Sequence, residues 1–283
     1  MRDYIFTDLA CEREDLIGNT VILNDRISMH ITPLSEEENS KVNGRYVSFS
    51  SPKVWELTFD DSYVLSRSVA EELRTMIQEV SEGDHRASVM VVGLGNAELT
   101  PDSLGPETVK NITVTRHLYQ KGNTAHTRGI GCEVSAVTTG VLASTGIETV
   151  ELIKGAVSRV KPDLVIAVDS LAARSPERLA STIQISNRGI APGSGIGNHQ
   201  KAIREETIGI PVIAIGIPTV IHSTTLIRDV LEENKILRDT KELRTILQKC
   251  DGFFATPKET DLLIKSAAIL LADAIDLACT IRE

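Results

Sequence analysis

The chain has 283 residues, 41% of them apolar and 24% charged, with 4% aromatics and a net charge of −9. This length admits one large domain or two smaller ones, at a rough prior of about 150 residues each. An acidic chain with no Lys/Arg block argues against direct binding to nucleic acid, and no apolar run approaches the ~18–20 residues of a membrane span.

The opening places Tyr4-Ile5-Phe6 just ahead of Asp8, far short of the roughly 7–15 apolar residues of a secretory signal. Thr7-Asp8-Leu9-Ala10 follows, then the charged run Glu12-Arg13-Glu14-Asp15. So near the start, these residues are not expected in a core. Cys11, Cys132, Cys250 and Cys279 are scattered, with no CxxC. They read as small hydrophobes or free thiols rather than a disulfide framework, which points to a reducing cytoplasm.

Residues 9–86 read as a mixed α+β region. His30-Ile31-Thr32-Pro33 and Tyr46-Val47-Ser48-Phe49 suit strands, and 64–80 has helical apolar spacing at Val69, Leu73, Met76, Ile77 and Val80. From residue 87 strand and helix alternate. Ser88–Leu94 is a short apolar run, 106–119 suits a helix and Val134–Thr139 a strand. Thr145-Gly146-Ile147-Glu148 matches a capping box, in which a Thr hydroxyl and a Glu carboxylate satisfy free N–H groups at a helix start. The helix it opens runs until Lys161-Pro162.

Leu164–Val168 and Pro211–Ile215 read as buried strands, while Thr182-Ile183-Gln184-Ile185 alternates like an edge or half-exposed strand. Thr256-Pro257-Lys258-Glu259 predicts a second capping box, with proline at the first position of a helix to about Cys279. The expected fold is α/β: a mostly parallel sheet flanked by helices on both faces, with an irregular N-terminal α+β region. No linker divides 9–283, so a single domain is expected, its α/β core spanning 87–283.

Open α/β sheets bind ligands beyond the carboxyl ends of their strands. Gly93-Leu94-Gly95-Asn96 and Thr100-Pro101-Asp102-Ser103 follow one strand, Asp169 another, and Pro192-Gly193-Ser194-Gly195-Ile196-Gly197 a third. Asp169 either caps the next element or is a desolvated functional carboxylate. Asp102 is either a turn residue or its partner. Paired carboxylates resist joint ionisation, leaving one acid and one base. The glycines do not complete GxGxxG or GxxxxGK[ST], and neither HExxH nor GxSxG occurs. No two of the six histidines are spaced i,i+4, so no metal site is expected, and none of these motifs calls for a cofactor. His222 reads as a satisfied polar histidine or a lone ligand.

Taken in order, Gly93–Asn96, Thr100–Pro106, Thr115-Arg116-His117, Thr145–Thr149, Lys161-Pro162-Asp163, Asp169–Arg174 and Pro192–Asn198 resemble the germination protease family. The likeness extends from about Thr7 to the C-terminal helix. It implies a fold related to hydrogenase-maturation proteases and a homotetramer. It also implies an aspartate-dependent endopeptidase, made as a zymogen, that degrades small acid-soluble DNA-protecting spore proteins in the forespore or spore cytoplasm. By motif, the essential aspartates fall on Asp102 and Asp169. Thr7-Asp8-Leu9-Ala10 is similar to the family's substrate sequence, so residues 1–8 are expected to be a propeptide removed by self-cleavage between Asp8 and Leu9. Asn96, Arg174 and Gly195 are candidate substrate-binding residues, Arg174 as a basic partner for Asp8. Two other readings are a metal-sensing maturation protease and a non-enzymatic phosphate- or nucleotide-binding module built on the Gly-rich loops.

Overall fold

The computed structural model describes residues 6–13, 18–34, 44–81, 86–120, 131–193, 201–235 and 240–280. In chain order the first half contains β1 (Asn19–Ile22), β2 (Ser28–Pro33), β3 (Arg45–Ser50), α1 (Phe59–Val80), β4 (Ser88–Leu94), α2 (Leu104–Asn111), α3 (Arg116–Gln120), β5 (Glu133–Gly140) and α4 (Leu142–Thr145). The second contains α5 (Thr149–Val160), β6 (Leu164–Ala173), β7 (Thr182–Ser186), α6 (Glu205–Ile208), β8 (Val212–His222), α7 (Ser223–Glu233), α8 (Lys241–Cys250), β9 (Phe254–Ala255) and α9 (Thr260–Ala278).

These strands form one sheet in the order β1-β2-β3-β7-β8-β6-β4-β5, with β9 pairing the end of β8. The block β5-β4-β6-β8 is parallel, as its helical crossovers require. β1, β2, β3 and β7 extend it antiparallel. A tight turn dictates part of that change: Asn24 Oδ1 accepts from the N–H groups of Arg26 and Ile27, folding β1 back on β2. The sheet is therefore mixed, with helices on both faces.

Period-2 alternation sorts the side chains. Val47 and Phe49, Ile183 and Ile185, Ile213 and Ile215, Ile166 and Val168, and Val89 and Val91 face one way. They pack with Leu65, Val69 and Leu73 of α1 and Leu263, Ala267 and Leu271 of α9. Fully burying each of these larger side chains is worth about 1.5–3 kcal/mol. On the opposite face Met90, Val92, Val165, Ala167 and Val212 pack with Val150 and Ile153 of α5. That apolar layer stops short of β7, whose Thr182, Gln184 and Ser186 point the same way and are nevertheless buried. β7 is an interior strand between β3 and β8, not the expected edge.

Three local expectations change for local reasons. The expected helix over 106–119 breaks after Asn111 into α2 and α3. The β-branched run Ile112-Thr113-Val114-Thr115 loses side-chain freedom in a helix. Thr115 instead binds β5, its N–H donating to Val134 O at 2.9 Å and its Oγ1 accepting from Val134 N–H at 2.8 Å. Neither expected capping box forms: Thr145 ends α4, Gly146 follows at φ 69°, and Glu148 precedes α5 without a side-chain cap. Thr256 is bonded to Thr219 O and Thr260 Oγ1, so α9 starts later.

Candidate active site

Asp169 is the sixth residue of β6, on the face opposite Val168. Register sets Gln184 of β7 opposite Gly216 of β8, and Gly216 opposite Asp169 of β6. Directly paired residues share a face, so Gln184 and Asp169 flank a position that carries no side chain. A Cβ on Gly216 would lie 2.4 Å from Asp169 O and 2.8 Å from Leu171 Cγ. Only glycine leaves this slot open.

Asp102 reaches the same edge from the 3-10 turn Thr100–Asp102 beyond β4. Thr219 Oγ1 of β8 donates to Pro101 O at 2.7 Å, tying the turn to the sheet. Gly105 brings the start of α2 against the strand ends, where an added Cβ would sit 2.3 Å from Leu94 O. Asn96 N–H donates to Asp102 Oδ2 at 2.8 Å, so the backbone at Asn96 holds this carboxylate in place.

The two carboxyls differ in surroundings. Asp169 is 5% exposed and accepts from Ser170 N–H at 2.9 Å. Burial, then the charges of Asp102 and Asp8, hold its carboxyl well above the ordinary carboxylate value, with the Ser170 N–H opposing. Asp102 is half-buried; burial raises its carboxyl too, and the Asn96 N–H pulls it back. Such a pair holds a proton more readily at Asp169.

The N-terminal segment lies across this site, contrary to the expectation of a loosely held end. Asp8 N–H donates to Ala172 O and Ala172 N–H to Asp8 Oδ2, both at 2.9 Å. Gln184 Nε2 donates to Asp8 O at 2.8 Å, and Gln184 Oε1 accepts from Ala10 N–H at 2.6 Å. Leu9 is fully buried among Leu171, Ala173, Leu179 and Ile221. Its N–H donates to Thr7 Oγ1 at 3.0 Å, and Thr7 Oγ1 donates to Glu12 Oε2. Glu12 in turn accepts from the N–H groups of Arg174 and Ser175, at 2.7 and 2.8 Å. Beside Thr7, Asp8 and Ala10 a cavity of about 370 Å³ extends over Tyr46, Ser186 and Gly216.

Arg174, expected as a partner for Asp8, points its guanidinium at Asp229, at 2.7 and 3.1 Å, with Glu232 at 3.9 Å. The Asp8 carboxylate is met by a backbone N–H instead. His222 is buried and caps α7: its Nδ1 lies 2.6 Å from Thr224 Oγ1 and its ring 4.7 Å from that of Phe6. Burial lowers its pKa, with Asp251 opposing. Gly195 lies outside the described residues. Cys132 precedes β5, at the amino end of the parallel strands and away from the carboxylates. Among the described residues no three His, Cys, Asp or Glu side chains converge as a metal-binding group, and no helix is long and apolar enough to cross a membrane. Sequence reasoning passed over Gln184, Gly216 and Glu12. For Gln184 there was a signal: an amide in a strand whose neighbours are isoleucines.

The germination protease family model matches residues 17–242. A germination protease of Caldanaerobacter subterraneus subsp. tengcongensis is 39% identical over 97% of this chain and 94% of its own length. One of Clostridium acetobutylicum is 37% identical over 94% and 85%. One of Priestia megaterium is 46% identical over 73% and 56%. A [NiFe] hydrogenase maturation protease from Thermococcus kodakarensis aligns at TM-score 0.39 and 18% identity, over 69% of this chain and 94% of that one, too loose a likeness to support an argument. The chain is a peptidase and belongs to the germination protease family.

Proposed function

We propose that this peptidase hydrolyses its substrates with Asp102 and Asp169, and that it is made as a zymogen which cuts itself between Asp8 and Leu9. The observation that carries the reading is the seating of Thr7-Asp8-Leu9-Ala10 in its own chain: Gln184, which the strand register sets across Gly216 from Asp169, holds the Asp8 carbonyl, and the Asp8 carboxylate is near enough to raise the Asp169 carboxyl. Asp169, the more buried carboxyl, keeps its proton and serves as the acid; Asp102 ionises first and serves as the base. Asp102 takes a proton from water as the water oxygen attacks the carbonyl carbon. Asp169 then protonates the departing nitrogen. Peptide hydrolysis by two carboxyls consumes only water.

Substrates of matching sequence would occupy the same seat once residues 1–8 leave and the new N-terminus at Leu9 withdraws: an acid against the Ala172 N–H, then an aliphatic side chain among Leu171, Ala173, Leu179 and Ile221. We assign small acid-soluble spore proteins as these substrates, the spore core as the compartment and a homotetramer as the assembly, on the strength of family membership. Incubating the purified protein with a small acid-soluble spore protein and mapping the products by mass spectrometry tests this. Cuts after an acid and before Ile, Leu or Phe are expected. A processed protein that leaves the substrate intact would refute the reading.

A further inference from the structure

Gln184 projects from the middle of β7 into the site and is 7% exposed. Both ends of its amide are used: Nε2 donates to Asp8 O and Oε1 accepts from Ala10 N–H. Reversing the amide would set donor against donor and acceptor against acceptor, so the network selects this orientation. Asp8 O is the carbonyl oxygen of the Asp8–Leu9 peptide bond. Gln184 and Asp169 stand in register on either side of Gly216, two strand spacings or about 10 Å apart at Cα. The scissile carbonyl is thus met by a fixed amide donor, which the strand register sets across Gly216 from Asp169.

We infer that Gln184 is a catalytic residue: its amide N–H stabilises the oxyanion formed at the scissile carbonyl, while its amide oxygen sets the register of the peptide two residues on. The inference rests on the proposed cut between Asp8 and Leu9. As the water oxygen bonds to the Asp8 carbonyl carbon, its proton passes to Asp102 and the carbonyl π pair moves onto oxygen, facing Gln184 Nε2–H. That pair returns as the C–N bond breaks, and the Leu9 nitrogen takes the proton of Asp169. The products are a carboxyl on residue 8 and an amine on Leu9. A preorganised donor aimed at developing charge in a buried site contributes more than a hydrogen bond in water. Because Gln184 contacts only backbone atoms of the segment, this contribution does not depend on the substrate's side chains.

The test follows the first-order rate of Asp8–Leu9 cleavage in the full-length chain, read by N-terminal sequencing and mass. Gln184→Glu, assayed above the titration of the new carboxyl, keeps an acceptor for Ala10 N–H but lacks the donor; Gln184→Met keeps the length and removes both. Each is expected to slow cleavage by roughly 10²–10³-fold. Wild-type protein that does not cut at Asp8–Leu9 would remove the zymogen reading and the inference with it. Wild-type protein that cuts there, with either Gln184 variant within tenfold of its rate, would overturn the inference alone. So would failure of both Gln184 variants to fold, which would make the residue part of the core.

Discussion

Asp169 sits where burial opposes its charge, and this bears on stability as well as on the proposed catalysis. Its carboxyl titrates above the ordinary carboxylate value in the folded protein. Between that value and the raised one, the folded state holds a proton that the unfolded chain has released. Stability conferred by the protonated group is therefore present at low pH and is lost as pH rises through that window. Asp169→Asn removes the titration. The variant is expected to melt above the wild type at neutral pH, with the difference shrinking as pH falls toward the ordinary carboxylate range. Calorimetry across pH 4–8 checks this; a wild type that gains stability over the variant as pH rises would show Asp169 ionised and stabilised in the fold. Asp102→Asn and Asp169→Asn should each lower cleavage by roughly 10²–10⁴-fold while leaving the cooperative melt intact. Retention of more than about a tenth of wild-type rate would take that residue out of the mechanism.

At the scale of elements, the site depends on close approach of three strands and one turn. Gly216 is a point of little room, with Asp169 O and the Leu171 side chain both within 3 Å of an added Cβ. Asp169 O is backbone and cannot rotate away, so Gly216→Ala forces β8 from β6. The expected cost is about 1–3 kcal/mol, read as a lower denaturant midpoint, together with loss of cleavage because the slot beside Gln184 is filled. An unchanged midpoint would mean that the strands yield without strain. The polar face of β7 makes the same point from the other side. Its alternation was legible in Thr182-Ile183-Gln184-Ile185, and the isoleucines do face the core. What covers the polar face is a segment more than 170 residues away in sequence, which no local pattern carries.

For the whole molecule, the seated N-terminal segment would set the kinetics of the proposed self-cleavage. Asp8 and Leu9 are held by Ala172, Gln184 and an apolar pocket of their own chain, so processing should be first order and independent of protein concentration. Diluting the full-length protein 100-fold and following the appearance of a Leu9 N-terminus tests this; a half-life that lengthens in proportion would mean that one molecule cuts another. Asp8→Ala should leave the chain unprocessed by removing the acceptor of the Ala172 N–H. Asp8→Glu should retain processing, and Asp169→Asn should remain full length throughout. Processing in Asp169→Asn would assign the cut to a different protease.

The linear sequence by itself determined the alternation of strands and helices, and it placed Asp102 and Asp169 just beyond or within strand ends. Apolar runs such as Leu164–Val168, and the break at Lys161-Pro162, are local signals that burial and backbone geometry enforce within a few residues. Only the tertiary structure decided which strands are neighbours. The insertion of β7 between β3 and β8 sets Gln184 and Asp169 on either side of Gly216, and this pairing arises from contacts distant in sequence. It also turned the opening residues from an expected loose end into a buried segment, because Leu9 gains an apolar pocket and the backbone of residues 8–10 gains partners that exist only once β6, β7 and β8 have assembled.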